Sequence, residues 1–268
     1  AGGRAVDGAM ILVIVAAFLA AGLTMYSGFG LGTLMLPVFS LFFPVEVAVV
    51  ATALVHGANN VFKVSLLGSL ADRNVVIRFG IPAIFAAMAG AAALGWISQF
   101  NINLQYELFG QDAEISPVKG VIGFLMLAFA LFELLPRFRK VSFEARYLPL
   151  GGVLSGFFGG LSGHQGALRS AFLAKAGLST EAFVGSNAWI GFLVDLTRIA
   201  AYGLLLFLAG ESFGDFDGWR LVIAGSVAAF AGVLVGKKFL HKVTMASIQT
   251  LVGILLFGVA IGLIAGLI

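Results

Sequence analysis

The chain has 268 residues, of which 60% are apolar and only 11% charged, against about 45–50% apolar and about 25% charged in water-soluble domains. Its mean hydropathy is +1.05, so it has too few polar side chains to cover a water-facing surface and is built for lipid. Cysteine is absent, which excludes disulfides, thiolate metal sites and cysteine nucleophiles. The formal charge of +3 is scattered among loops rather than gathered into the basic patch that nucleic acid requires.

A helix needs about 20 apolar residues to cross roughly 30 Å of hydrocarbon. In chain order the candidate segments are 9–43, 45–70, 78–97, 117–135, 147–176, 180–209, 219–240 and 245–268. None alternates apolar and polar residues as barrel strands do. Arg4 ahead of the first apolar run resembles a secretory signal, but the glycine-rich end of that run has a counterpart deep in the chain, so it is read as structure.

Charge orients the spans. The stretch 136–147 carries Arg137, Arg139, Lys140 and Arg146 against Glu144, and 236–243 carries Lys237, Lys238 and Lys242; both read as cytoplasmic. The link with Arg73 and Arg78 reads the same way. The loops 98–116 and 210–218 lack Lys and Arg and read as outside. From 147 (inside) to 210 (outside) the chain must cross an odd number of times, yet it holds two apolar runs. The first, 147–176, is broken at Ser162-Gly163-His164-Gln165-Gly166. Its limbs, roughly 24 and 16 Å as helix, predict a re-entrant hairpin that turns at this break, where irregular backbone survives only inside protein or beside a polar cavity.

The first half repeats the order. Residues 9–43 are too many for one span and are broken at Ser27-Gly28-Phe29-Gly30-Leu31-Gly32. Each half thus reads as a hairpin plus three crossings, an odd number that makes the halves inverted repeats. The expected organisation is an all-α polytopic membrane protein with a first repeat over 1–135, a cytoplasmic linker over 136–146 and a second, inverted repeat over 147–268. At an offset of 135, Ser27/Ser162, Gly28/Gly163, Glu46/Glu181 and Gly68/Gly203 coincide; at 134, Ala48/Ala182 and Gly57/Gly191 coincide.

The stretch Gly28-Phe29-Gly30-Leu31-Gly32, followed by Pro37, Pro44, Ala48 and Ala51-Thr52, resembles the first-half signature of the TauE/SafE family. The second half supplies Ser155-Gly156, Gly159-Gly160, Ser162-Gly163, Ala182 and Gly185-Ser186. The resemblance spans essentially the whole chain. It departs from the family pattern where His164-Gln165 interrupts the second glycine-rich stretch and where Phe172 replaces a proline. It implies movement of sulfite, sulfonates or related sulfur-containing organic anions across a bacterial inner membrane.

Several residues are candidates for binding such an anion. His56, Asn59, Asn60 and Lys63 form a polar stripe on 45–70, at spacings of three, four and seven that share one helical face. A charge there costs about 2.5 kcal/mol or more unless paired or wet; Lys63 could instead snorkel to the interface and the asparagines could serve as packing glue. Arg198 occupies the matching place in the second half, with Asp195 three residues earlier as an alternative intrahelical partner. Arg169 lies in the first turn of the returning limb of the second hairpin, where helix N–H groups and a guanidinium together suit a sulfonate or sulfite. Ser27 and Ser162 mark the hairpin tips, with helix capping as their duller role. His164 and Gln165 sit beside Ser162, and Ser186 and Asn187 stand in the crossing helix at places matching Thr52, where back-bonding is the alternative. His164, Asp195 and His56 are the candidates for proton coupling. Glu46 and Glu181 read as helix-start carboxylates, and Trp96, Trp189 and Trp219 mainly as interfacial anchors.

The expected function is a secondary transporter, an exporter by alternating access, with proton coupling open and a passive anion channel as the alternative. No nucleoside-triphosphate loop is present, and His56, His164 and His241 lack the spacing of a hydrolytic metal site, so neither an ATP-driven pump nor an intramembrane enzyme is expected. The expected partners are a small sulfur anion and the lipid bilayer, without nucleic acid, cofactor or metal; a homodimer is allowed.

Overall fold

The computed structural model describes residues 2–25, 31–100, 102–108, 110–139, 141–208, 210, 218–239 and 245–268. Helices dominate them: α1 (Gly2–Leu23), α2 (Leu31–Ser40), α3 (Val45–Leu67), α4 (Arg73–Ile97), α5 (Pro117–Leu134), α6 (Pro136–Arg139), α7 (Leu148–Ser162), α8 (Gly166–Leu173), α9 (Thr180–Leu208), α10 (Trp219–Phe239) and α11 (Met245–Ile264). Five helical segments are long and apolar enough to cross a membrane, namely Val45–Leu70, Arg73–Ile97, Pro117–Leu134, Thr180–Leu208 and Trp219–Lys238. Gln249–Ile264, Asp7–Leu23 and Leu31–Ser40 are shorter apolar helices. Large apolar side chains such as Phe85 and Phe207, 68% and 76% exposed, point outward, as a lipid-facing surface requires. The protein is an all-α polytopic membrane protein.

The second predicted break is where the sequence placed it. Gly163, at φ +80°, adopts the left-handed conformation that closes α7, and its N–H donates to Gly159 O at 3.0 Å. The eight residues of α8 extend about 12 Å, too short to span. The Phe143 N–H donates to Ala171 O at 3.1 Å, and the rings of Phe143 and Phe172 stack at 4.2 Å. The chain therefore leaves α8 beside the place where it entered α7. In the first half, α1 and α2 flank the predicted break, whose residues Ser27, Gly28, Phe29 and Gly30 lie outside the described ones.

The structure differs from the sequence reading in places, the start of α1 at Gly2 rather than 9 among them. Helix α4 starts at Arg73 rather than 78 because the Asp72 carboxylate caps it, accepting from the Val75 N–H at 2.9 Å. The loop 98–116 contains an antiparallel pair, β1 (Leu104–Leu108) and β2 (Gln111–Ile115). These strands are too short and too polar to announce themselves by alternation. Glu114 N–H donates to Gly266 O at 2.9 Å, and Tyr106 OH to Ala265 O at 2.8 Å, which fixes the end of α11 to this hairpin.

The helices pack in matched sets. Helix α7 packs on α4, and α1 on α10; α9 packs on α4, and α3 on α10; α8 packs on α9, and α2 on α3; α3 crosses α9, and α5 pairs with α11. The first two contacts are backbone against backbone. A Cβ at Gly152, Gly156 or Gly160 of α7 would lie 2.2, 2.3 or 2.1 Å from the carbonyl oxygens of Phe79, Ala83 and Ala87 on α4. On α10, a Cβ at Gly232 or Gly236 would lie 2.2 or 2.5 Å from Phe18 O and Gly22 O of α1. Small residues permit this approach where no hydrophobic effect between helices is available.

Candidate functional site

Helices α3 and α9 run antiparallel. Near one end a Cβ at Gly185 would be 2.4 Å from Leu67 O, and at the other Glu46 and Leu206 line a common crevice of about 290 Å³. The polar stripe of α3 meets the polar stripe of α9 between these ends, and the α7–α8 turn reaches into the same place. Gly32, in the first turn of α2, arrives there too: a Cβ on it would be 3.3 Å from His56 Cδ2 and 3.5 Å from Gly163 O.

Asp195, fully buried, is the hub. Arg198 donates to its Oδ1 from Nε at 3.0 Å and from Nη2 at 2.8 Å. Gln165 Nε2 donates to the same oxygen at 3.0 Å. His56 Nδ1 lies 2.6 Å from Oδ2, and Asn60 Nδ2 donates to Oδ2 at 2.8 Å. A carboxylate facing Nδ1 requires the proton on that nitrogen, so His56 donates. Neighbouring contacts extend the network: Arg198 Nη1 donates to Gly159 O at 3.2 Å, Gln165 Oε1 accepts from Arg169 Nη1 at 2.9 Å, and Arg169 Nε donates to Asn187 Oδ1. Ser155 Oγ donates to Gln165 O at 2.9 Å, and Tyr202 OH donates to Gly160 O, so that α9 holds the last turn of α7 through Arg198 and Tyr202, one helical turn apart.

A second group of polar atoms adjoins this network and has no partners among the described residues. Lys63, 6% exposed, makes no hydrogen bond or ion pair among the described residues, and its ammonium is close enough to the Arg169 guanidinium to repel it. Both polar atoms of the Asn59 side chain, Thr52 Oγ1 and His164 Nε2 are buried with no partner among the described residues. Thr52, Asn59 and Lys63 follow spacings of seven and four and share one face of α3. His164 places its other nitrogen 3.0 Å from Ser162 Oγ and lies flat on the Phe129 ring, with centroids 5.1 Å apart and planes 6° apart. The formal count is three cations (Lys63, Arg169, Arg198) against one carboxylate (Asp195), a surplus of two positive charges, with His56 neutral.

The remaining predicted residues are placed as follows. Ser162 Oγ back-bonds to Phe158 O at 3.1 Å. Ser186 Oγ accepts from the Asp72 N–H at 2.9 Å and ties α9 to the start of α4, away from the charged network. Trp189 donates to Gly68 O at 3.1 Å, inside the protein, whereas Trp96 is 62% exposed. Ser27 and His241 lie outside the described residues. Sequence reasoning missed Tyr202, although it stands four residues after Arg198 on the same face, and Glu133, a buried acid in the last turn of α5.

Broken and crossing helices around a buried ionic cluster define a multi-pass membrane protein with polar and charged groups inside the helix bundle. The family model described as "Sulfite exporter TauE/SafE" matches residues 13–263, nearly the whole chain. The protein belongs to the TauE/SafE sulfite exporter family, whose members are transporters of small sulfur anions rather than enzymes. No curated protein matches the chain.

Proposed function

We propose that this protein is a secondary exporter of sulfite, sulfonates or related sulfur-containing organic anions, working by alternating access in a bacterial inner membrane. One observation carries the reading. Lys63 is a buried ammonium without an acceptor among the described residues, it lies within electrostatic range of a second buried cation, Arg169, and the amide of Asn59 one turn away has neither polar atom satisfied by a described residue. Two like charges held together in a low-dielectric interior, next to unfilled donors, are stabilised by an anion between them. A tetrahedral or pyramidal oxyanion offers several acceptors at once.

The proposed architecture is the inverted repeat, with halves at 1–135 and 147–268 around the linker 136–146. Exchanging the halves carries each of the helix pairings described above onto another in the same set, or onto itself. Asn60 and Asp195 are 135 residues apart, the same offset that aligns the halves, and they hydrogen-bond to one another. Residues on a two-fold axis touch their own images in this way, and the offset makes Lys63 and Arg198 equivalent as well. The two equivalents have diverged in role: Arg198 is neutralised by Asp195, while Lys63 is not.

Flux in proteoliposomes tests the reading. Sulfite and a C2 sulfonate should each cross with saturable kinetics, and Arg169→Ala should reduce that flux at least about tenfold, the loss of one charge-assisted contact. Flux that rises without saturation would make the protein a passive channel. Absence of any flux by correctly folded protein would remove the transport reading.

A further inference from the structure

Glu133 is the one carboxylate besides Asp195 that the described fold buries, at 1% exposure. It stands in the last turn of α5, where the negative end of the helix dipole opposes its charge, so helix capping gives no reason for it. It packs against α11, where Gly253 leaves the room: a Cβ there would be 3.2 Å from Glu133 Cβ. A carboxyl group inside a membrane bundle marks an ion or proton route more often than a structural contact. Its neighbourhood points the same way. Phe129, four residues earlier on the same face of α5, carries the stacked ring of His164, whose Nε2 is buried without a partner. The acid, the aromatic ring and the imidazole thus form a row from the α5–α11 interface to the hairpin turn at the anion pocket.

Few ionisable groups compete along that row. Helix α11 has none from position 245 to the end of the sequence, and α2 has none. Helix α3 brings Glu46 at its start, then His56 and Lys63; α4 brings Arg73 and Arg78 near its start; α6 brings Arg137 and Arg139; and the turn brings His164. Asp195 is the other buried acid, and it is the hub of the charged network, bound by Arg198, His56, Asn60 and Gln165.

We propose that Glu133 is the site at which the driving proton binds, separate from the anion pocket and linked to it through His164. The inference rests on the transport reading and adds its coupling residue. Movement of the anion changes the packing of the α7–α8 turn on Phe129, and through that contact the access of Glu133 to water on one side. The proton binds the carboxylate, stays through the conformational change, and leaves on the other side; no covalent bond is made.

The test uses full-length protein in proteoliposomes with a trapped pH dye and sulfite as the anion. Wild type should show counterflow with equal pH on both sides, and anion accumulation with matching proton flux under an imposed pH gradient. Glu133→Gln should keep counterflow and lose gradient-driven accumulation, falling to the level reached without a gradient; Glu133→Asp should retain coupling at a lower rate. A carbodiimide that modifies protonated membrane carboxyls gives a readout on unmutated protein. Mass spectrometry should find Glu133 labelled at acidic pH, less so at alkaline pH, with Asp195 unlabelled. Gradient-driven accumulation by Glu133→Gln equal to wild type, or no labelling of Glu133 at any pH that supports coupled flux, overturns the inference. Wild-type counterflow without proton flux overturns it while leaving the transport reading intact, whereas no flux of either kind removes both.

Discussion

Asp195 and Lys63 are buried charges on facing helices, and their surroundings are opposite. Asp195 has each oxygen hydrogen-bonded, by a guanidinium, an imidazole and two amides from three different segments. Lys63 has no acceptor among the described residues, a cation for a neighbour, and an unsatisfied amide one turn away. A saturated buried charge is a fastener: it holds α3, α9 and the α7–α8 turn in register. An unsaturated one stabilises nothing until something arrives to complete it, and that is the property a binding site needs.

This contrast can be broken in order of expected effect. Asp195→Ala strands Arg198 in the interior and should cost about 3–5 kcal/mol, the usual penalty for removing one partner of a buried ion pair. Thermal unfolding in detergent should show a large drop, with anion flux lost as a consequence. Lys63→Met should separate the two properties. It removes an uncompensated charge, so the melting temperature of the anion-free protein should hold or rise, while flux falls by more than about tenfold. A melting temperature that falls as far as that of Asp195→Ala would make Lys63 a fastener too. Ser186→Ala should be mildest: it forfeits the bond to the Asp72 N–H at about 1 kcal/mol and should leave flux unchanged.

Much of this was legible in the sequence, for identifiable reasons. The α7–α8 break was readable because Gly163 and its polar neighbours interrupt an apolar run, and because charge counting allowed no second crossing. The stripe on α3 was readable because spacings of three, four and seven define a face. What periodicity does not report is which stripe residues satisfy one another across helices. His56 and Asn60 reach Asp195 because α3 and α9 cross closely at Gly57 and Gly191, where a Cβ would crowd Asp195 Cβ at 3.3 Å or meet Asn60 Nδ2 at 2.6 Å. Ser186 matched Thr52 in sequence position yet serves a helix junction, since one hydroxyl fits either use. The β1–β2 pair and Glu133 escaped notice for lack of local signal. Two five-residue polar strands look like loop, and an acid at a helix end followed by Arg137 and Arg139 looks solvated until α11 is seen to cover it.

The most direct test of the central claim is a density map of the protein with selenite, an anomalous scatterer of sulfite-like shape and charge. The account predicts an anion within hydrogen-bond reach of Lys63 Nζ and the Asn59 amide, on the Arg169 side of α3. An anion found only at the protein surface, with the Lys63 side chain withdrawn towards water at the membrane surface and Asn59 filled by a protein group, would contradict it.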